Sequence, residues 1–121
     1  MNWLTTVLIF LGGGFGAVLR NVLTNSSVSA NSSIFTHTLM INALGSFIIG
    51  FIWNFQLSME IRCFAVVGLL GGFTTFSGFS IEFLEFLHHK SLGLAWVYVI
   101  STVSLCILLV WSGNRLQSLL F

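Results

Sequence analysis

Gly68, Gly71 and Gly72, then Thr74 and Thr75, then Phe76, Ser77, Gly78, Phe79 and Ser80 interrupt an otherwise apolar run. Unwinding near Gly71 to Thr75 would free backbone carbonyls, which are hard oxygen ligands suited to a hard cation. In hydrocarbon every backbone amide needs a partner, so such a break is tolerated only where protein or water covers it. Irregular backbone at membrane depth marks sites for ions and small solutes. Phe76 and Phe79 follow at i, i+3 and share a face, with Ser80 close by. Aromatic rings carry a positive edge, so two edges turned to a pathway can meet a small anion without the grip of a fixed charge. The same spacing also serves ordinary lipid or helix contact.

Other polar groups lie in apolar surroundings, where their cost makes them functional candidates. Asn42 offers an amide donor and an acceptor, and fits an interhelical hydrogen bond as well as a pathway. Tyr98, Thr102 and Cys106 recur at i, i+4, i+8, with Ser101 beside them. A hydroxyl track of this kind can replace water around a moving ion, although Ser and Thr in helices also bond their own i−4 carbonyl. Arg20 and Glu82 are the charges nearest the apolar segments, with Glu85 three residues beyond Glu82. Arg20 is placed to snorkel.

The elements that position these residues are read from composition and hydropathy. The chain has 121 residues, 56% hydrophobic and 6% charged, with mean hydropathy +1.02. Soluble domains carry about 25% charged residues, so this is an integral membrane protein. A net charge of +1 without a basic cluster excludes nucleic acid as a partner. Cys63 and Cys106 have neither metal-ligand spacing nor a disulfide framework and read as small buried hydrophobes.

A crossing helix needs about 20 apolar residues. Trp3 to Leu23, Thr38 to Leu57, Cys63 to Leu84 and Leu92 to Trp111 qualify, giving one four-helix transmembrane domain over residues 1–121. The first segment lacks a basic leader, and Gly12-Gly13-Gly14 interrupts it, so it reads as a retained span rather than a signal peptide. The connection Thr24 to Ser33 holds the triplets Asn25-Ser26-Ser27 and Asn31-Ser32-Ser33; a later one holds His88, His89 and Lys90. Both read as wet loops. Trp3, Trp53, Trp96 and Trp111 fall near span ends, where indoles anchor.

Four spans put Arg62 and Arg115 on one side and Arg20 and Lys90 on the other. Orientation follows Lys/Arg asymmetry, and two against two predicts insertion both ways up. Gly12 with Gly16 and Arg20, Asn42 with Ser46 and Gly50, and Gly68 with Gly72 form small-residue faces for close packing within or between subunits.

Three stretches together resemble the Fluc (CrcB) family of small bacterial fluoride channels. They are Gly13-Gly14-Phe15-Gly16-Ala17-Val18-Leu19-Arg20, Thr38-Leu39-Met40-Ile41-Asn42-Ala43-Leu44-Gly45, and Gly71-Gly72-Phe73-Thr74-Thr75-Phe76-Ser77-Gly78-Phe79-Ser80. The resemblance implies an all-α, antiparallel dual-topology dimer of four-helix subunits with the third helix broken at its centre. Its function would be passive export of toxic cytoplasmic fluoride across the bacterial inner membrane, through two pores at the dimer interface. A structural sodium ion would be held by carbonyls that map onto Gly71 and Thr74. Phe76 and Phe79 would line the pore, Asn42 would be a polar pore residue, and Arg20 would lie near the vestibule. Tyr98 and Thr102 match the polar track, and Ser77, Ser80 and Glu82 complete the implied pathway. Cys106 stands where a hydroxyl would extend the track, and Gly78 replaces a common Thr. The implied partners are fluoride, the lipid bilayer, and a second copy of the chain or a sister subunit.

The alternative is a small dual-topology, proton-coupled multidrug exporter. Such carriers need a membrane-embedded acid, characteristically in the first helix, and Trp3 to Leu23 contains none. A non-transporting membrane subunit would leave the third-span break unexplained. No nucleophile, base and orienting group converge in the sequence, so an enzyme is not expected.

Overall fold

The computed structural model describes residues 2–26, 36–89 and 91–121, and these are helical apart from short connections. The loop triplets at Asn25 and Asn31, and Lys90, fall wholly or partly outside those residues. Helix α1 is Trp3–Ser26 and α2 is His37–Ile52. Helix α3, residues 59–73, joins Met59–Ile61, a π-wound stretch Arg62–Leu70, and Gly71–Phe73. After Thr74 and Thr75, α4 runs Phe76–His89, and α5 is Leu92–Leu120.

Short polar side chains start these helices by accepting N–H groups that lack an intrahelical partner. Thr36 accepts from Leu39 N at 3.1 Å, Ser58 from Ile61 N at 3.4 Å, and Ser91 from Leu94 N at 3.2 Å. The hydroxyl of Thr75 does the same for α4, accepting from Gly78 N at 3.0 Å.

Three helical runs are long and apolar enough to cross a membrane: Trp3–Asn25, Met59–His89 and Leu92–Leu120. The second is the pair α3 and α4 taken across the break. Helix α2 is apolar but has 16 residues, about 24 Å at 1.5 Å per residue. It stops at Ile52, short of the expected Leu57. Helix α5 instead runs nine residues beyond the expected end at Trp111. Its added turns bury Gln117, whose Oε1 accepts from Asn54 Nδ2 at 3.2 Å, and set the Arg115 guanidinium 5.5 Å from the Trp111 ring.

Two glycine seams hold the helices in pairs. Helix α1 lies along α3, where a Cβ on Gly12 would strike the Phe64 carbonyl and one on Gly16 the Leu69 carbonyl. Helix α2 lies along α5, where a Cβ on Gly50 would strike Val110 and one on Gly113 the Phe47 carbonyl. Lipid supplies no hydrophobic drive between helices, so close backbone approach takes over that role. The break lies at the handover between the pairs: residues before it pack on α1, residues after it on α5. Around α4 and α5 a core forms from Leu39, Phe79, Phe86, Ala95 and Tyr98. Large apolar residues elsewhere, among them Phe10, Phe15, Val18 and Ile100, face outward, as lipid-facing side chains do.

Candidate ion pathway at the helix break

The break is two residues long. Gly71–Phe73 remains helical, and Thr74 turns extended at φ −79°, ψ 156°. In a continuous α-helix the Gly71 carbonyl would accept from Thr75 N, and the Thr74 carbonyl from Gly78 N. Both donors are engaged elsewhere. Thr75 N donates to Asn42 Oδ1 at 2.8 Å, and Gly78 N donates to Thr75 Oγ1 at 3.0 Å. Gly71 and Thr74, the residues onto which the family resemblance maps the cation ligands, are thus among those whose carbonyls lose their helical donors at the break. Thr75 O accepts from Asn42 Nδ2 at 2.9 Å, so Asn42 serves both backbone groups of one residue.

Asn42, Gly71, Thr74, Thr75, Phe76 and Phe79 share the wall of a cavity of about 420 Å³, to which α5 contributes Thr102 and Cys106. The two rings sit 5.3 Å apart at 44°, and they differ in burial. Phe79 is 8% exposed and packs 5.3 Å from the Tyr98 ring, whereas Phe76 is 76% exposed. Thr102 is 4% exposed, and among the described residues its hydroxyl has no partner within hydrogen-bond geometry. A buried hydroxyl with nothing to bond is costly, which suits a position where a solute can supply the missing partner.

A second cavity of about 770 Å³ adjoins the first, sharing Ser46, Ile49, Cys106 and Ile107. It continues to Asn54 and Asn114, between Trp53 and Trp111. Cys106, half-buried, thus lines both cavities.

The remaining sequence candidates separate. Tyr98, fully buried, donates its hydroxyl proton to Glu82 Oε2 at 2.5 Å, and Thr36 Oγ1 stands 3.5 Å away. Glu82 is half-buried, joined to α5 through that bond. Ser80 donates to its own i−4 carbonyl on Phe76 at 3.0 Å, and Ser77 pairs with Thr75 Oγ1 at 3.1 Å; both are exposed. Arg20 is half-buried on α1 and is not among the residues lining either cavity.

Three residues of the matching stretches take roles that the sequence did not assign them. Thr75 caps α4 and receives Asn42. Gly45 leaves room for the Thr74 side chain, which a Cβ there would strike at Cγ2. Gly78 does likewise for Thr75, whose Cγ2 would lie 2.8 Å from an added Cβ.

Fold and site define a class: a multi-pass helical membrane protein with backbone oxygens released at a broken span. The chain belongs to the CrcB family; the family profile described as "CrcB-like protein, Camphor Resistance (CrcB)" matches residues 7–114. Among its relatives, proteins called "Fluoride-specific ion channel FluC" include one from Methylobacterium radiotolerans, 33% identical over 97% of this chain and 93% of the relative. Another, from Rhodopseudomonas palustris, is 36% identical over 93% of this chain and 96% of its own. The one from Shewanella halifaxensis is 39% identical over 91% and 93%. These relatives are bacterial channels rather than enzymes, which agrees with the sequence expectation and with a multi-pass place in the bacterial inner membrane.

Proposed function

We propose that the chain is a passive, fluoride-selective channel that lets toxic cytoplasmic fluoride leave the cell. One observation carries the reading. Gly71 and Thr74, whose carbonyls have lost their helical donors, line one cavity at the break together with Asn42, Phe76 and Phe79. Fluoride is compact and strongly hydrated, so passage needs hydrogen-bond donors spread along a route with weak, multi-site binding. Asn42, Thr102 and the ring edges supply such groups, and the second cavity extends the route toward one end of the helices.

The break fits a structural sodium ion. Carbonyl oxygens are hard ligands, and these two have lost their helical donors to Asn42 and Thr75. A bound cation would supply positive charge beside the anion route, where low dielectric strengthens its effect.

The functional unit in this reading is an antiparallel, dual-topology homodimer with two pores at its interface, and α2 crosses as a fourth, short span. Phe76, exposed on the single chain while lining the cavity, belongs to the face a second copy covers. The balanced basic count supports both orientations.

No coupling acid is required. Fluoride enters as neutral hydrogen fluoride, and the inside-negative potential drives the trapped anion out, by about 2.3 kcal/mol per charge per ~100 mV. A bacterium stripped of its own fluoride defence should regain growth in fluoride when it expresses this chain, most visibly at low external pH. Expression of correctly inserted protein without rescue would overturn the reading.

A further inference from the structure

Asn42 bonds both backbone groups of Thr75 from a position 33 residues away in sequence. Its Oδ1 accepts from Thr75 N at 2.8 Å, and its Nδ2 donates one hydrogen to Thr75 O at 2.9 Å. Turning the amide over would set NH₂ against N–H and C=O against C=O, forfeiting both bonds. The backbone of Thr75 therefore fixes which way the amide faces. In return, Oδ1 takes the hydrogen that a continuous helix would give to the Gly71 carbonyl.

We infer that Asn42 and Thr75 form a reciprocal clamp, in which Asn42 acts as a positioning residue for the cation ligand Gly71 O while Thr75 orients the amide toward the anion route. An amide nitrogen carries two hydrogens. One is spent on Thr75 O, and the other remains for the cavity that Asn42 lines with Phe76 and Phe79. Oδ1 is turned to Thr75 N, and the remaining N–H offers the cavity a donor, as an anion requires. One side chain thereby links sodium binding to fluoride passage. The link rests on the channel reading above, while the clamp itself does not.

The test uses the full chain in lipid vesicles, with sodium chloride against choline chloride as the probe. Wild type should gain thermal stability with sodium, since a ligand bound only by the folded state stabilises it. Asn42→Ala should raise the sodium concentration for half that gain about tenfold, the scale of a lost buried partner. A role confined to packing would lower stability equally with and without sodium.

Asn42→Asp separates the two halves of the clamp. A neutral carboxylic acid keeps an acceptor for Thr75 N and a donor for Thr75 O, but has no second hydrogen. Lowering pH should thus restore the sodium response of Asn42→Asp while its fluoride flux stays below wild type. Glu82 on α4 is not among the residues lining the cavity and bonds Tyr98 instead, and wild type at each pH is the control.

Magic-angle-spinning NMR reads the clamp directly, as a contact between Asn42 Nδ2 and the Thr75 carbonyl carbon. That contact absent in wild type, or a sodium response in Asn42→Ala equal to wild type at every concentration, overturns the inference. The contact and sodium response without fluoride flux would uphold the clamp and overturn the channel reading.

Discussion

The Tyr98 hydroxyl donates to Glu82 Oε2 across 2.5 Å, fastening α4 to α5 just past the break. Tyr98 is fully buried between the rings of Phe79 and Phe86, at 5.3 and 5.0 Å. Tyr98→Phe keeps that packing but leaves Glu82 without its donor. Glu82 is half-buried, so the lost hydrogen bond costs about 1 kcal/mol, while Glu82→Gln keeps an acceptor for the hydroxyl. Thermal unfolding in detergent should show Tyr98→Phe clearly destabilised and Glu82→Gln close to wild type.

The Phe76 and Phe79 rings should behave differently on substitution. Phe79→Ile opens space in the core beside Tyr98 and should cost about 1–3 kcal/mol of stability, the range for reshaping a packed core. Phe76→Ile, on an exposed ring, should leave the fold of the single chain unchanged. Both remove a positive ring edge and should sharply reduce fluoride flux. Wild-type flux in Phe76→Ile would make that ring a packing residue.

Sequence and structure part company in instructive places. The break was legible because Gly71-Gly72 and Thr74-Thr75 are poor company for an apolar helix, a local signal. The partner of Asn42 was not, since nothing local ties it to a residue 33 positions on. The close approach at Gly50 and Gly113 depends on two helices meeting, and only the Gly50 side formed a visible repeat. The apolar span read from the sequence ends at Trp111, yet Gln117 is satisfied by Asn54 and the helix continues to Leu120. Hydropathy also said little about Glu82, whose environment is set by Tyr98.

Gly45 and Thr74 supply a paired test of the break. Gly45→Ala drives a methyl into Thr74 Cγ2, so fluoride flux should fall. Thr74→Ser removes the struck atom while keeping the hydroxyl that donates to Leu70 O at 3.0 Å. The double variant should recover most of the flux lost by Gly45→Ala. Strict additivity of the two losses would show that the contact has no part in the defect.

Cys106 lines both cavities. Cys106→Ser should conduct at least as well as wild type, because it returns a hydroxyl one turn beyond Thr102. A small water-soluble thiol reagent should block wild type and leave Cys106→Ser open, measured as fluoride flux before and after treatment.

If α2 crosses as the proposed fourth span, two basic residues fall on each side, and reporter fusions at the C-terminus should report both sides of the membrane in comparable amounts. Lysines added after Arg115 should shift that end toward the cytoplasm. A single fixed orientation would favour pairing with a sister subunit instead.

Fluoride efflux from liposomes containing only this purified chain tests the central claim most directly. The predicted result is a fluoride current that follows the membrane potential, needs no proton gradient, and excludes chloride. Electroneutral, proton-dependent transport, or no fluoride flux from correctly assembled protein, would contradict it.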